Sequence, residues 1–238
     1  MNSVVAEKKF IQERLGIPYE NLSQSYLRAE TQLSNLSSYN FYLQRGQVAS
    51  PLVTEKLLEL NDQFCITNFR VSLRNITSAT SGTITANEQL DGQQYMFADP
   101  SVFGLFTTAN PAATAAQNAR GLYNGNISFI IDRKQFLPAF PMNAFYRVPT
   151  AQSTNLTTAG TTATPAATFT GNIGGVNGYD NGLFGFYVSE PTLIDGRQTL
   201  DISLNVGSAL SIVVSPATTS FIYATFEVRG YLVVNSKS

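Results

Sequence analysis

From Phe64 onward the hydrophobic pattern of this chain runs at a period of two, and that period decides what it can fold into. Cys65, Thr67, Phe69, Val71 and Leu73 alternate with Ile66, Asn68, Arg70, Ser72 and Arg74. Successive side chains of a strand point to opposite faces, so this stretch predicts a half-buried strand with Cys65 on its inward face. The run 221–234 is longer. Ile222, Ala224, Phe226, Val228, Leu232 and Val234 fall on one face, with Thr225, Glu227 and Arg229 on the other. Shorter strands are expected at TITA near residue 84, QYMF near 95, and at 126–132, 144–148, 183–188, 199–206 and 209–214. Asn124-Gly125 and Asp195-Gly196 suit tight hairpin turns, whose central residues need positive φ. Without a βαβ rhythm, such strands predict a mainly β chain: an antiparallel β-sandwich, most economically of jelly-roll type.

The first sixty residues follow another period. Val4, Ile11 and Leu15 share one side of a short helix that Gly16 and Pro18 would stop. Leu22, Tyr26, Ala29, Leu33, Leu36, Asn40 and Leu43 are spaced alternately by four and three residues. That spacing predicts a second helix with one apolar stripe, ending at Gly46. Ser50-Pro51 then suits the start of a further helical turn in LVTEKLLEL. The expected organisation is a helical N-terminal arm over 1–60 and a single β domain over 61–238. Long neutral loops are expected in that domain at about 100–121 and 150–182. Leu22, Tyr26, Leu33, Leu36 and Leu43 are the candidate assembly residues, packing either on the chain's own β domain or on a neighbouring subunit.

Chemistry narrows the function. The chain has no histidine, no tryptophan and one cysteine, Cys65. It therefore lacks the commonest general base, the commonest metal ligand and every Ser-His or Cys-His pair. No catalytic, cofactor-binding or metal-binding residue is assigned. Gly-rich GNIGGVNGYDNGLFG has neither phosphate-loop nor dinucleotide spacing. Charged residues make up 13% of the chain and the net charge is −1, with no basic block. The footprint of a nucleic-acid binder is thus missing. Glu7, Lys8 and Lys9 interrupt any signal-peptide core, and no apolar window is long enough to span a membrane. The stretch 151–175, AQSTNLTTAGTTATPAATFTGNIGG, has no charge at all. It could be a linker, a ligand loop or a packing surface. Because isolated proteins keep charge on their surfaces, the packing surface is the expectation.

Residues 100–149, PSVFGLFTTANPAATAAQNARGLYNGNISFIIDRKQFLPAFPMNAFYRVP, carry a resemblance. The Ala-rich run before Leu122-Tyr123-Asn124-Gly125, the strand 127–131, Phe136-Leu137-Pro138 and Tyr146-Arg147-Val148-Pro149 resemble a segment of bacteriophage virion structural proteins. The likeness is to those of Bacteroidetes phages in particular. It implies a capsid or coat subunit that self-assembles into a shell, its partners being copies of itself and other virion proteins. The missing histidine and basic block agree with it in pointing to no enzyme activity, cofactor, small-molecule substrate or sequence-specific nucleic-acid binding, and the expected place is the virion, after assembly in the host cytoplasm. A capsid decoration, fibre or adhesin module is the alternative. The chain departs from coat proteins that condense a genome electrostatically, since it has no basic arm.

Overall fold

Most of the alternating stretches become strands. The computed structural model describes residues 3–78, 84–95, 119–145, 186–210 and 220–234. Nine strands occur among them: β1 (Leu22–Gln32), β2 (Ser38–Phe41), β3 (Gln63–Thr77), β4 (Gln93–Tyr95), β5 (Asn126–Ile131), β6 (Lys134–Pro141), β7 (Tyr187–Asp195), β8 (Leu200–Asn205) and β9 (Ser220–Val233). All pairings within the two sheets are antiparallel. One sheet runs β1-β9-β3, with β7 and the short β4 both on the far edge of β3; the other runs β2-β8-β5-β6. Leaving β4 aside, first strand pairs with last, second with second-last, third with third-last, and the middle two with each other.

Both sheets feed one buried cluster. Leu27, Val71 and Phe226 come from the first sheet, and Phe41, Phe129 and Ile202 from the second. The Phe226 ring centroid lies 5.7 Å from that of Phe41 and 6.2 Å from that of Phe129. The expected alternation of β9 holds, with Ile222, Ala224, Phe226 and Val228 in this cluster. In β3 the alternation is broken. Phe64 and Ile66 face the core, a register shift falls between Ile66 and Asn68, and Phe69, Val71 and Leu73 face the core beyond it. An extra residue in one strand changes which parity points inward. Cys65 is therefore buried on the other face, in a second cluster with Ile11, Leu22 and Tyr231. Gly230 sits opposite this bulge, where a Cβ would run into the Cys65 carbonyl oxygen.

The helix expected near the N-terminus is present as α1 (Ser3–Leu15), ended by Gly16 at φ +71°, whose N–H donates to the Gln12 carbonyl at 2.9 Å. Val4, Ile11 and Leu15 pack onto the second cluster, so α1 covers one end of the β1-β9-β3 sheet. The helix expected over 22–43 does not form: those residues are β1, β2 and their connection, integral to the two sheets. β1 instead pairs with β9 along eleven residues and buries Leu27 and Ala29 in the core, and that tertiary burial outweighs a local helical spacing. The helical arm is thus α1 alone. The turn expected after Pro51 is instead a lace. Lys56 exchanges backbone hydrogen bonds with Arg28 on the free edge of β1, and Leu58 does so with Leu43 and Arg45 beyond β2.

Other local expectations shift as well. Thr85 does not continue a strand but caps the short α2 (Ala86–Asp91), with Glu88 completing a capping box. Residues 142–145 form a 3₁₀ turn, not a strand. The tight hairpin turn falls at Asp132-Arg133, both at positive φ, between the paired residues Ile131 and Lys134. Asn124-Gly125 ends another 3₁₀ segment, and Asp195-Gly196 carries the chain from one sheet to the other. The neutral stretch 151–175, the Gly-rich run after it, 146–148, 183–185 and 211–214 lie outside the described residues, as does most of 100–121.

Candidate functional site

Three of the five candidate assembly residues belong to the interior of the subunit. Leu33 and Leu43 are fully buried in the main core, and Leu22 lies in the cluster beneath α1. Tyr26 and Leu36 are exposed, 43% and 55% respectively. They do not share a stripe. Tyr26 is on the outer face of β1, with the Lys56 ammonium 4.6 Å from its ring centroid. Leu36 lies in the β1–β2 connection, where its carbonyl accepts from the Tyr39 hydroxyl at 2.9 Å and from the Leu210 N–H at 3.2 Å. The remaining exposed apolar side chains include Phe10 on α1, Val53, Leu60, Leu90 and Val188.

A buried group of charges sits on the outer face of the β1-β9-β3 sheet, where register aligns Arg28, Glu227 and Arg70 in one row. Glu30 has a fully buried side chain and accepts from Arg28 at 2.6 Å and from Arg74 at 2.8 Å. Arg74 also donates to the Thr54 hydroxyl at 2.8 Å. The Glu55 carboxylate accepts the N–H groups of Glu30 and Leu52, both at 2.8 Å, and burial raises its pKa. These bonds pin the 51–58 lace across β1 and β3. Glu227 accepts from Arg70 at 2.8 Å and from Arg229 at 3.1 Å. The Phe186 ring stacks against both guanidinium groups, at 4.4 and 4.1 Å. Burial pulls the Arg70 guanidinium below its ordinary value. Glu30 and Glu227 are each held by two arginines and Glu55 by backbone N–H groups, so the network is a clamp and not a proton relay.

An open cleft of about 360 Å³ lies where the β5–β6 and β7–β8 turns meet the start of β3, lined by Gln63, Asp132, Leu193, Asp195, Arg197 and Gln198. Its two carboxylates are occupied structurally. Asp132 accepts the Thr199 N–H at 2.9 Å; Asp195 accepts the Arg197 N–H at 2.8 Å and the Gln63 amide at 3.1 Å. The backbone bond to Arg197 holds the Asp195 carboxyl below its usual range, which suits a hydrogen-bond acceptor and not an acid. Burial pushes the Cys65 thiol up to about 12, far from a nucleophile's range. Among the described residues no group of three or more Cys, Asp or Glu side chains is placed to hold a metal, and no helix is long and apolar enough to cross a membrane.

Three of the outward edge strands are guarded. β6 carries Pro138 and Pro141, and β7 carries Pro191 where its register with β3 jumps. Proline offers no N–H to an incoming strand. The lace covers part of the β1 edge, through Lys56. Compared with known proteins, the chain matches no family model, and no curated protein or solved structure matches it significantly.

Proposed function

We propose that this chain is a virion structural protein, a capsid or coat subunit built on a jelly roll. The observation that carries the reading is the nested pairing of strands: β1 with β9, β2 with β8, β3 with β7, β5 with β6. A long antiparallel hairpin rolled into two four-stranded layers pairs its strands in this way, and that roll is a common architecture of viral capsid domains. The scarcity of charge supports the reading too, because a subunit buried by neighbours on several sides gains little from charge there. Proline-bearing edges direct copies to meet through faces and connections, not by extending a sheet. Sedimentation and negative-stain microscopy of the full-length protein, alone and with its virion partners, test this. Closed shells or defined oligomers are expected, and Leu36→Glu should weaken them while leaving the melting temperature in place. A chain that stays monomeric at high concentration in both settings overturns the proposal.

A further inference from the structure

The outer face of the β2-β8-β5-β6 sheet has an unusual chemistry. Tyr39, Phe41 and Leu43 point into the core, so alternation turns Ser38, Asn40 and Tyr42 outward. Leu200, Ile202 and Leu204 point inward, which turns out Asp201, Ser203 and Asn205; in β5 the same logic turns out Asn126, Ser128 and the half-buried Ile130, which stands opposite Asp201. Register gathers them into rows: Asn205 stands opposite both Ser38 and Asn126, and Ser203 opposite both Asn40 and Ser128. One step further along, Tyr42 follows Phe41, the partner of Ile202, and so borders Asp201. Ser38, Asn40, Asn126, Asp201 and Asn205 are exposed, Ser128 and Ser203 half-buried, and Tyr42 is 45% exposed.

Solvated strand faces usually carry long charged side chains, which keep other molecules away. Here short amides and hydroxyls form a field with one carboxylate and no cation. Ser and Asn lose little rotamer freedom on binding, and each offers both a donor and an acceptor. A sugar hydroxyl also donates and accepts, so a neutral polyhydroxylated ligand complements this face in charge and in hydrogen bonding. The exposed Tyr42 ring supplies the flat apolar surface that the C–H face of a pyranose needs, and Asp201 can accept from two adjacent hydroxyls. A phosphate or sulfate has no cation to meet. A protein partner would want several apolar anchors at the centre, and the apolar groups here, Tyr42 and the half-buried Ile130, both lie in the row at its margin. Tyr with Ser and Asn is also the composition of adaptable polar recognition surfaces. Three strands and three rows span roughly 10 by 13 Å, the footprint of a di- or trisaccharide.

We propose that this face binds a neutral oligosaccharide, with Tyr42 as the stacking ring and Asn40, Asp201, Ser203 and Asn205 as its hydrogen-bonding groups. The proposal goes beyond the coat-subunit reading and does not depend on it. The probe is an array of neutral hexose and N-acetylhexosamine oligosaccharides, with sialylated and sulfated chains beside them, exposed to the full-length protein. Binding to neutral chains that survives about 0.5 M salt is expected. Tyr42→Ala and Ser203→Lys should each weaken it at least about tenfold with unchanged melting temperatures. No binding to neutral chains, binding only to charged ones, or binding that neither variant alters overturns the proposal. Sedimentation of the same Ser203→Lys protein separates the remaining occupant: lost oligomers without any glycan binding would assign the face to a second copy and sink the glycan reading. Loss of the coat-subunit reading would show instead as a monomeric native protein, whatever the array gives.

Discussion

Glu227 shows what a single side chain does in a molecule with so little charge. Its carboxylate satisfies Arg70 and Arg229 at once, and its side chain is 6% exposed. Removing one partner of a buried pair strands the other, which costs more than the pair contributes. Glu227→Gln should therefore cost about 3–5 kcal/mol in a urea titration. Replacing Arg70 by Met and Glu227 by Leu together should cost much less than the sum of the two single changes, because no buried ion loses its partner between them. Additive losses would show that the clamp is not coupled. None of this was legible beforehand. Alternation marks Glu227 and Arg229 as outward, and outward charge is ordinarily solvated; the cover comes from residues distant in sequence, among them Phe186.

At the scale of elements, α1 is a lid over Cys65. Ile11 is fully buried against the cluster that holds the thiol, and Glu7 accepts from the Tyr231 hydroxyl at 2.8 Å. Ile11→Ala should loosen the helix at a cost of about 2–5 kcal/mol. Cys65 should then react with a thiol reagent well before global unfolding, whereas in the native protein labelling should await it. Equal labelling rates in the two proteins would mean that α1 does not control access. This helix was readable because Gly16 and Pro18 end it and Val4, Ile11 and Leu15 share a face. β1 was not readable, although Leu27 and Ala29 do alternate. Leu22 serves a different cluster from Leu33, and Tyr26 packs under Lys56, so apolar residues on both faces imitate a helical spacing. β3 was found with its inward parity wrong at Cys65, because a bulge has no composition signature when Thr67 provides it. The hairpin turn at Asp132-Arg133 escaped for the reverse reason: Asp and Arg take up positive φ there without a glycine to announce it.

For the whole molecule, the proline-bearing edges matter most. A fold with two open sheets would add strands from neighbours if its rims allowed it. Replacing Pro138 and Pro141 with Thr should leave the far-ultraviolet circular dichroism unchanged and promote slow thioflavin-positive aggregation; a variant that stays dispersed would show that the rims are protected otherwise. The fold class was legible in alternation alone, since β3, β5, β8 and β9 each declare themselves. The candidate assembly residues were not: the five came from a supposed helical stripe, whereas Leu33 and Leu43 turn into the core and Leu22 lies on the other face beneath α1. The Asn/Ser field escaped notice because its residues come from segments far apart in sequence and meet only through register.

The nested pairing also sets a timetable. β9 lies between β1 and β3, and β8 lies between β2 and β5, so one of the two inner strands of each sheet comes late in the chain. During synthesis β1 and β2 have no sheet partner, and β3 and β5 keep one edge open, until residues beyond 200 leave the ribosome. Long-range pairings of this kind form slowly. A nascent chain halted before β8 can pair β3 with β7 and β5 with β6, but it lacks an inner strand of each layer, so both sheets close only near the end. A polypeptide made this way offers its finished surface to neighbours only once nearly all of it exists, which keeps incomplete copies out of any larger structure.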